Sequence, residues 1–311
     1  MTDILKRING IRNWLDNNDL DGFIIPHEDE YLSEYIPPEN ERLAWATGFT
    51  GSAGIAIITN NSASIFVDGR YTVQVKQQVD NQLYSIFHLK DNPFVQWVKD
   101  NVPSGTRMGY DARLHRVNWI KSANKFFGNH IELTSVSENP IDLLWKNRPS
   151  GSQDQALLLD EIYTGKSSEI KRVELGKIIA KNKCAAAFIT KLDSIAWILN
   201  IRGSDVPCNP VLLCHGLLYA NGSFDLFIAK NKIPDGFDAH VGNNVNIIAP
   251  EIMQDHLAQF SGKIIQLDAN CSNDWAKNIF INADAKIVEK DDPCTLPKAC
   301  KNDNEINGMK K

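Results

Sequence analysis

The chain has 311 residues, of which 43% are hydrophobic, and a formal net charge of -5. This length is enough for two domains of about 150 residues, each with its own core. The acidic balance and the lack of basic runs longer than two residues argue against nucleic acid or anionic membrane as a partner. The sequence contains no apolar leader and no window of about 18 apolar residues, so we predict a cytoplasmic protein without a membrane span.

Cysteine and histidine give no sign of a metal site. All six cysteines lie in the second half, without a Cys-x-x-Cys pair, and the seven histidines are scattered singly. Zinc and similar ions need such ligands at short, regular spacing. The residues therefore predict free thiols and no metal or cofactor bound within this chain.

The first half alternates helical and strand patterns. Apolar residues recur at helical spacing from Ile4 to Leu15 and predict an amphipathic helix, which leads into a short buried strand, "GFIIP". Two β-branched runs, "IAIIT" and "SIFV", flank Asn60-Asn61 and predict a hairpin, because asparagine tolerates left-handed conformations. Helices and strands then alternate as far as "IELTSV", which indicates an α/β layered domain.

Residues 48–54, "GFTGSAG", carry three glycines that resemble a phosphate-binding loop. A P-loop needs Lys-Ser/Thr after its last glycine, whereas Gly54 is followed by Ile55. A dinucleotide loop must open a helix, whereas a β-branched run follows here. We therefore predict a structural turn that enters a strand, with glycine where φ is positive or where close backbone approach is needed.

The pattern restarts after a polar stretch, "NRPSGSQDQ". A predicted helix from about Ser167 leads into "AAAFIT", as the first helix leads into "GFIIP". The run "SIAWILNIRGSD" then echoes "RLAWATGFTGSA" and shares its Ala-Trp pair, and a second hairpin is predicted at Asn221-Gly222. Two tandem copies of one α/β unit are the interpretation we favour.

Three runs together resemble a known family: "IPHEDEYLSEYIPPENERLAWATGFTGSAG", "FVDGRYTVQ" and "DSIAWILNIRGSDVPCNPV". They are similar to the two non-catalytic N-terminal domains of three-domain Xaa-Pro aminopeptidases (aminopeptidase P), within the creatinase/prolidase group. The resemblance implies two tandem creatinase N-terminal-like domains, each a mixed sheet flanked by helices. It places these domains at residues 1–155 and 156–300, with residues 301–311 beginning the linker and helix to a catalytic domain.

The resemblance also implies a function for the complete protein. Family members release the N-terminal residue that precedes proline, using two divalent metal ions, usually manganese, in the third domain, and they commonly form homodimers. All of those metal ligands would lie beyond Lys311, so we expect this chain to be inactive alone and to contribute oligomerisation and substrate access. The alternative is a free-standing, non-catalytic binding or dimerisation module from a truncated gene. A creatinase-type hydrolase is less favoured, because that group has a single N-terminal domain of this kind.

One binding residue carries over from the family. In its DGRY motif the arginine reaches the peptide substrate, and here that arginine is Arg70, whose planar guanidinium suits a carbonyl or carboxylate. The alternative is that Arg70 only pairs with Asp68 or caps the end of the strand "SIFV". Two further candidates, Arg202 and Asp205, either line a cleft or form an internal ion pair. Acidic pairs such as Asp291-Asp292 are predicted to be solvated loops, so no catalytic residue is assigned.

Overall fold

In the computed structural model, which describes residues 3–310, the chain divides into two compact units. The first unit comprises the described residues up to Asp29 together with Ile36–Ser150. The second comprises Glu30–Tyr35 and the described residues from Gly151 onward. A short segment from the first part of the sequence therefore belongs to the second unit.

The first unit contains one mixed sheet. Its strands are β1 (Gly22–Pro26), β2 (Gly54–Thr59), β3 (Ala63–Val67), β4 (Ser85–His88), β5 (Thr106–Tyr110) and β6 (Ile131–Ser135). They lie in the order β4-β3-β2-β1-β5-β6. The neighbouring strands β1, β2 and β3 pair antiparallel, while β4, β5 and β6 join by parallel pairing. The parallel pairs follow helical crossovers, as parallel strands require.

Six helices accompany this sheet: α1 (Asp3–Asn17), α2 (Arg42–Thr47), α3 (Gln74–Gln78), α4 (Phe94–Asn101), α5 (Val117–Phe127) and α6 (Pro140–Leu144). Short 3-10 turns occupy Pro38–Asn40, Gly69–Tyr71 and Ala112–Leu114. The predicted amphipathic helix is α1, which buries Ile8, Ile11 and Leu15 in the core of the unit. The apolar periodicity of the sequence therefore identified the buried face correctly.

The second unit repeats the same sheet. Its strands are β8 (Ala186–Ile189), β10 (His215–Tyr219), β11 (Phe224–Phe227), β12 (Val245–Ile248), β13 (Ile264–Leu267) and β14 (Lys286–Glu289), and β7 (Leu157–Leu158) pairs separately with β9 (Ile201–Arg202). The six-stranded order is β12-β11-β10-β8-β13-β14. When the strands of this sheet are numbered from β8, their order is the same as in the first unit. The parallel and antiparallel pairs also match.

The helices of the second unit are α7 (Glu161–Thr164), α8 (Ser168–Lys181), α9 (Leu192–Leu199), α10 (Phe237–Val241), α11 (Met253–Leu257), α12 (Asp274–Asn282), α13 (Thr295–Ala299) and α14 (Asp303–Met309). Short 3-10 turns occupy Lys230–Lys232 and Pro250–Ile252. Trp45 lies in α2, between β1 and β2, and Trp197 lies in α9, between β8 and β10. The predicted tandem repeat and the α/β fold class are thus confirmed.

Among the helices of residues 3–310, none combines the length and the apolar character that crossing a bilayer requires.

Candidate functional site

Arg70 lies in the turn that leaves β3. Asp68 follows the strand and accepts the backbone N–H of Arg70 at 2.9 Å, which begins the 3-10 turn Gly69–Tyr71. The guanidinium then folds back onto the same carboxylate, with Nε 3.0 Å and Nη2 2.7 Å from Asp68 Oδ2. The pair with Asp68, which was the alternative to a substrate-binding role for Arg70, is therefore present.

The pair lies at the surface. The Arg70 side chain is 61% exposed and that of Asp68 is 33% exposed. The side-chain hydrogen bond from Arg70 lowers the pKa of Asp68 below its usual value, so the carboxylate stays ionised. Asp68 thereby holds the guanidinium in a fixed direction while leaving most of its surface open to solvent.

The glycine-rich loop supports the turn that carries Arg70. Tyr71 donates to or accepts from Ser52 across 2.7 Å and packs edge-on against Phe49. A Cβ at Gly51 would lie 2.2 Å from the Phe49 ring and 2.8 Å from the Tyr71 ring, so only glycine fits there. Gly48, with φ of 86°, ends α2 in the left-handed region. The prediction of a structural turn is confirmed at both glycines.

The same local motif occurs a second time in the first unit. Asp111 accepts the backbone N–H of Arg113 at 3.0 Å, and Arg113 Nη2 lies 2.8 Å from Asp111 Oδ2. Burial acts to raise the pKa of Asp111, but hydrogen bonds and charge from Arg113 outweigh it and lower the pKa. Asp111 is buried and also accepts a hydrogen bond from Asn139. This second pair is a structural element, which makes it a useful reference for Arg70.

The structure separates Arg202 from Asp205. Asp205 is buried, lies 2.5 Å from Lys232 Nζ and accepts the backbone N–H of Leu213 at 2.8 Å. Arg202 donates instead to the carbonyl of Ile201 at 2.8 Å. Asp205 thus forms an internal ion pair, with a lysine that the sequence did not indicate.

The prediction for Asp292 was wrong. The side chain is buried, and its Oδ1 accepts the backbone N–H of Cys294 at 2.8 Å. Its own backbone N–H donates to Asp268 at 3.0 Å. The local sequence looked like a solvated acidic loop, but β13 and β14 end side by side, so the loops that follow them cover each other.

The sequence patterns do not indicate a role for Glu41, which lies within the first family-like run. Burial, together with the charge of Asp29, raises the pKa of Glu41 to about 7. Asp29 is fully buried and accepts a hydrogen bond from Asn40 Nδ2 at 3.0 Å. A carboxyl group whose pKa is raised by burial and by a neighbouring carboxylate is a feature that functional sites often use. No sequence signal could have identified them, because Asp29 and Glu41 come together only through the fold.

Within residues 3–310 the structure shows no cluster of three or more His, Cys, Asp or Glu side chains suited to a metal ion. The six cysteines are free thiols, as predicted.

Comparison with known families covers nearly the whole chain. The model described as "Creatinase/Prolidase N-terminal domain" matches residues 7–144, and a second model with the same description matches residues 147–305. The chain belongs to this creatinase/prolidase N-terminal family. Each of the two matches corresponds to one copy of the repeated sheet.

Curated relatives extend this family match to the full chain. The probable Xaa-Pro aminopeptidase P of Pyrenophora teres f. teres (strain 0-1) is 31% identical over 324 residues, covering 99% of this chain and 49% of the relative. The corresponding protein of Botryotinia fuckeliana (strain B05.10) is 30% identical, covering 98% of this chain and 48% of the relative. The chain thus spans about half the length of the curated relatives it matches.

A solved structure shows the same creatinase/prolidase N-terminal fold. The X-prolyl aminopeptidase of Caenorhabditis elegans superposes with a TM-score of 0.91 at 23% identity, over 99% of this chain and 53% of that protein. That protein is a cytosolic enzyme with a di-nuclear active site. At this level of identity the likeness establishes the fold alone.

Proposed function

We propose that the chain is the non-catalytic N-terminal portion of a metal-dependent Xaa-Pro aminopeptidase, an enzyme that releases the N-terminal residue preceding proline. The observation that carries this proposal is the 31% identity to an Xaa-Pro aminopeptidase P across 99% of the chain but only 49% of that relative. Residues 1–155 and 156–300 are the two domains of this portion, and residues 301–311 begin the connection to the catalytic domain.

The catalytic chemistry belongs to the other half of the protein. We assign to that half two divalent metal ions, of which manganese is the expected species. The di-nuclear active site of the Caenorhabditis elegans enzyme supports two ions and does not identify the metal. Such a pair of ions generates hydroxide from water and stabilises the tetrahedral intermediate of peptide hydrolysis.

Arg70 is the residue that we assign to substrate binding. Its side chain is 61% exposed and is oriented by the carboxylate of Asp68. A charged hydrogen bond to a peptide carbonyl or carboxylate would contribute about 1.5–3 kcal/mol. The Asp68 contact would restrict the guanidinium before substrate arrives, which reduces the entropy lost on binding.

We further propose a cytoplasmic homodimer that binds a peptide with proline at its second position. The cytosolic location of the Caenorhabditis elegans enzyme supports the compartment. The net charge of -5 supports the expectation that neither nucleic acid nor a membrane is a partner.

The test compares two arginine variants in the protein that includes the metal-binding half. We expect Arg70→Ala to lower kcat/KM for an Xaa-Pro-Xaa peptide by about 10- to 100-fold, since each tenfold corresponds to about 1.4 kcal/mol. Its melting temperature should change little. Arg113→Ala, which removes the buried copy of the motif, is the matched control and should lower stability instead. Unchanged peptide kinetics in Arg70→Ala would remove Arg70 from the site, and a lack of any Xaa-Pro cleavage by the parent protein would refute the function itself.

A further inference from the structure

The second unit carries a cluster of exposed apolar side chains around α7 and α14. Leu157, Ile162, Tyr163, Ile306 and Met309 expose between 38% and 73% of their surface. We call these five residues the apolar face. Together they expose on the order of 500 Å² of apolar surface, near the upper limit of what a monomeric protein leaves in water.

Contacts between distant segments bring these residues together on one surface. α14 is held against α7 by two side-chain amides: Asn302 donates to the carbonyl of Thr164 at 2.8 Å and Asn304 to that of Ile162 at 3.1 Å. Leu157 lies opposite Arg202 in the β7–β9 pair, so both side chains leave the same face of that ribbon.

α14 is attached in an unusual way. Its first turn has a capping box between Asn302 and Glu305, and Glu305 also accepts the indole N–H of Trp197 at 3.2 Å. Gly165 lies so close to Asn302 that a Cβ there would be 2.5 Å from the amide oxygen. Helices of this length have little stability of their own and usually attach through their apolar side. Here polar contacts attach the helix, and Ile306 and Met309 remain exposed.

A cavity adjoins the apolar face. It has a volume of about 420 Å³ and is lined by Tyr163, Trp197, Arg202 and Met309, among others. Two of these residues, Tyr163 and Met309, also belong to the apolar face. The surface therefore offers a recess beside flat apolar area, a combination that suits the central anchor of an interface.

We propose that the apolar face binds the catalytic half of the same polypeptide, the half that the curated relatives carry and this chain does not match. This inference rests on the proposed function. The relatives are about twice the length covered here, since the chain matches 49% and 48% of two of them. An interface of standard size buries about 800 Å² on each side, so the apolar face would form its central part and polar residues its rim.

The experiment uses the longer protein with a specific protease site inserted directly after Lys311. After cleavage we expect the two halves to elute together from a gel-filtration column. Ile162→Asp and Met309→Asp should each raise the dissociation rate of the two halves by about 10- to 100-fold. The reason is that each substitution replaces a buried apolar contact with a desolvated charge. Ile252→Asp is the control, since Ile252 is 52% exposed in the same unit but is not part of the apolar face.

Each variant is also made in the 311-residue chain, where its melting temperature should equal that of the parent because the replaced side chain is already exposed. Halves that separate without any substitution would overturn the proposal, as would halves that stay together in Ile162→Asp and Met309→Asp. A dimer of the 311-residue chain that Ile162→Asp dissociates would assign the apolar face to a second copy instead. Peptidase activity of the uncut protein is measured separately, so a failure of docking is distinguishable from a failure of the proposed function.

Discussion

Burial decides what an Asp-x-Arg pair does in this protein. The pairs Asp68–Arg70 and Asp111–Arg113 have nearly the same hydrogen bonds, but Asp111 is buried and Asp68 is not. An exposed pair contributes about 0–1 kcal/mol to stability, because water screens the charges and the side chains lose entropy. Removing one partner of a buried pair costs more, because the remaining charge stays desolvated.

We therefore expect Arg113→Ala to reduce the free energy of unfolding by about 2–4 kcal/mol and Arg70→Ala by less than about 1 kcal/mol. Urea denaturation of the 311-residue chain, followed by circular dichroism at neutral pH, measures both. Equal losses in the two variants would show that Arg70 has the same structural role as Arg113.

Glu41 gives a pH-dependent prediction. Its pKa in the folded protein is about 7, raised from 4.5, so the folded state binds the proton more tightly than the unfolded state between these pH values. The contribution of this group to the free energy of unfolding is fully present below about pH 4.5 and is lost as pH rises towards 7. Because the group is partly exposed, we expect Glu41→Gln to raise the free energy of unfolding by only about 1 kcal/mol at pH 8.

At pH 4 the stability gained by Glu41→Gln should disappear, because Glu41 of the parent protein is then mostly protonated in both the folded and the unfolded state. Denaturant titrations at pH 4 and pH 8 measure the difference. A gain of equal size at both pH values would show that the amide improves packing and that no titration is involved.

At the scale of elements, the two predicted hairpins form their turns in different ways. Gly222 has φ of 87°, as the predicted Asn-Gly turn requires. Asn60 and Asn61 are not among the described residues with positive φ, so the predicted left-handed asparagine was wrong although the hairpin is present. Instead the Thr59 hydroxyl accepts the backbone N–H of Ser62 at 3.0 Å and closes the turn.

The segment Glu30–Tyr35 is held in the second unit by His215. Its ring stacks on Tyr31 at 4.8 Å and on Phe188 at 5.6 Å, and Nε2 lies 3.3 Å from the carbonyl of Glu30. Burial lowers the pKa of His215 to about 4, from 6.5. The unfolded state therefore binds the proton more tightly, so stability falls as pH drops from 6.5 towards 4.

We expect this loss to reach about 3 kcal/mol for the native protein between pH 6.5 and pH 4, from 1.36 kcal/mol per pKa unit. His215→Phe keeps an aromatic ring between its neighbours and cannot be protonated, so its stability should depend less on pH over this range. Chemical denaturation across the range, with tyrosine and tryptophan fluorescence as the signal, tests this. Identical pH profiles would mean that His215 is not the group that titrates.

At the scale of the whole molecule, we predict that the 311-residue chain does not cleave Xaa-Pro-Xaa peptides, even with added manganese. The proposed function places the metal ligands in the half that the curated relatives have and this chain does not match. The assay follows release of the first residue, with the longer protein as the positive control. Turnover that copurifies with the 311-residue chain would contradict the assignment of catalysis to the other half.

The sequence by itself determined the order and type of the main elements. Apolar periodicity identified α1, short β-branched runs identified β1 and β2, and the repeated Ala-Trp pair revealed two copies of one unit. These features depend on residues that are neighbours along the chain, whose pattern follows the period of a helix or strand. The family resemblance made Arg70 a candidate for substrate binding. The spacing of residues along the sequence does not indicate that role.

Only the tertiary structure decided which distant residues share an environment. It placed Glu30–Tyr35 in the second unit, buried Asp292, and brought Asp29 beside Glu41. It also left Met309 and its neighbours on α7 and α14 exposed, although their apolar character suggested burial. Burial and pKa depend on segments far apart in sequence that the fold brings together, and local patterns do not encode that proximity.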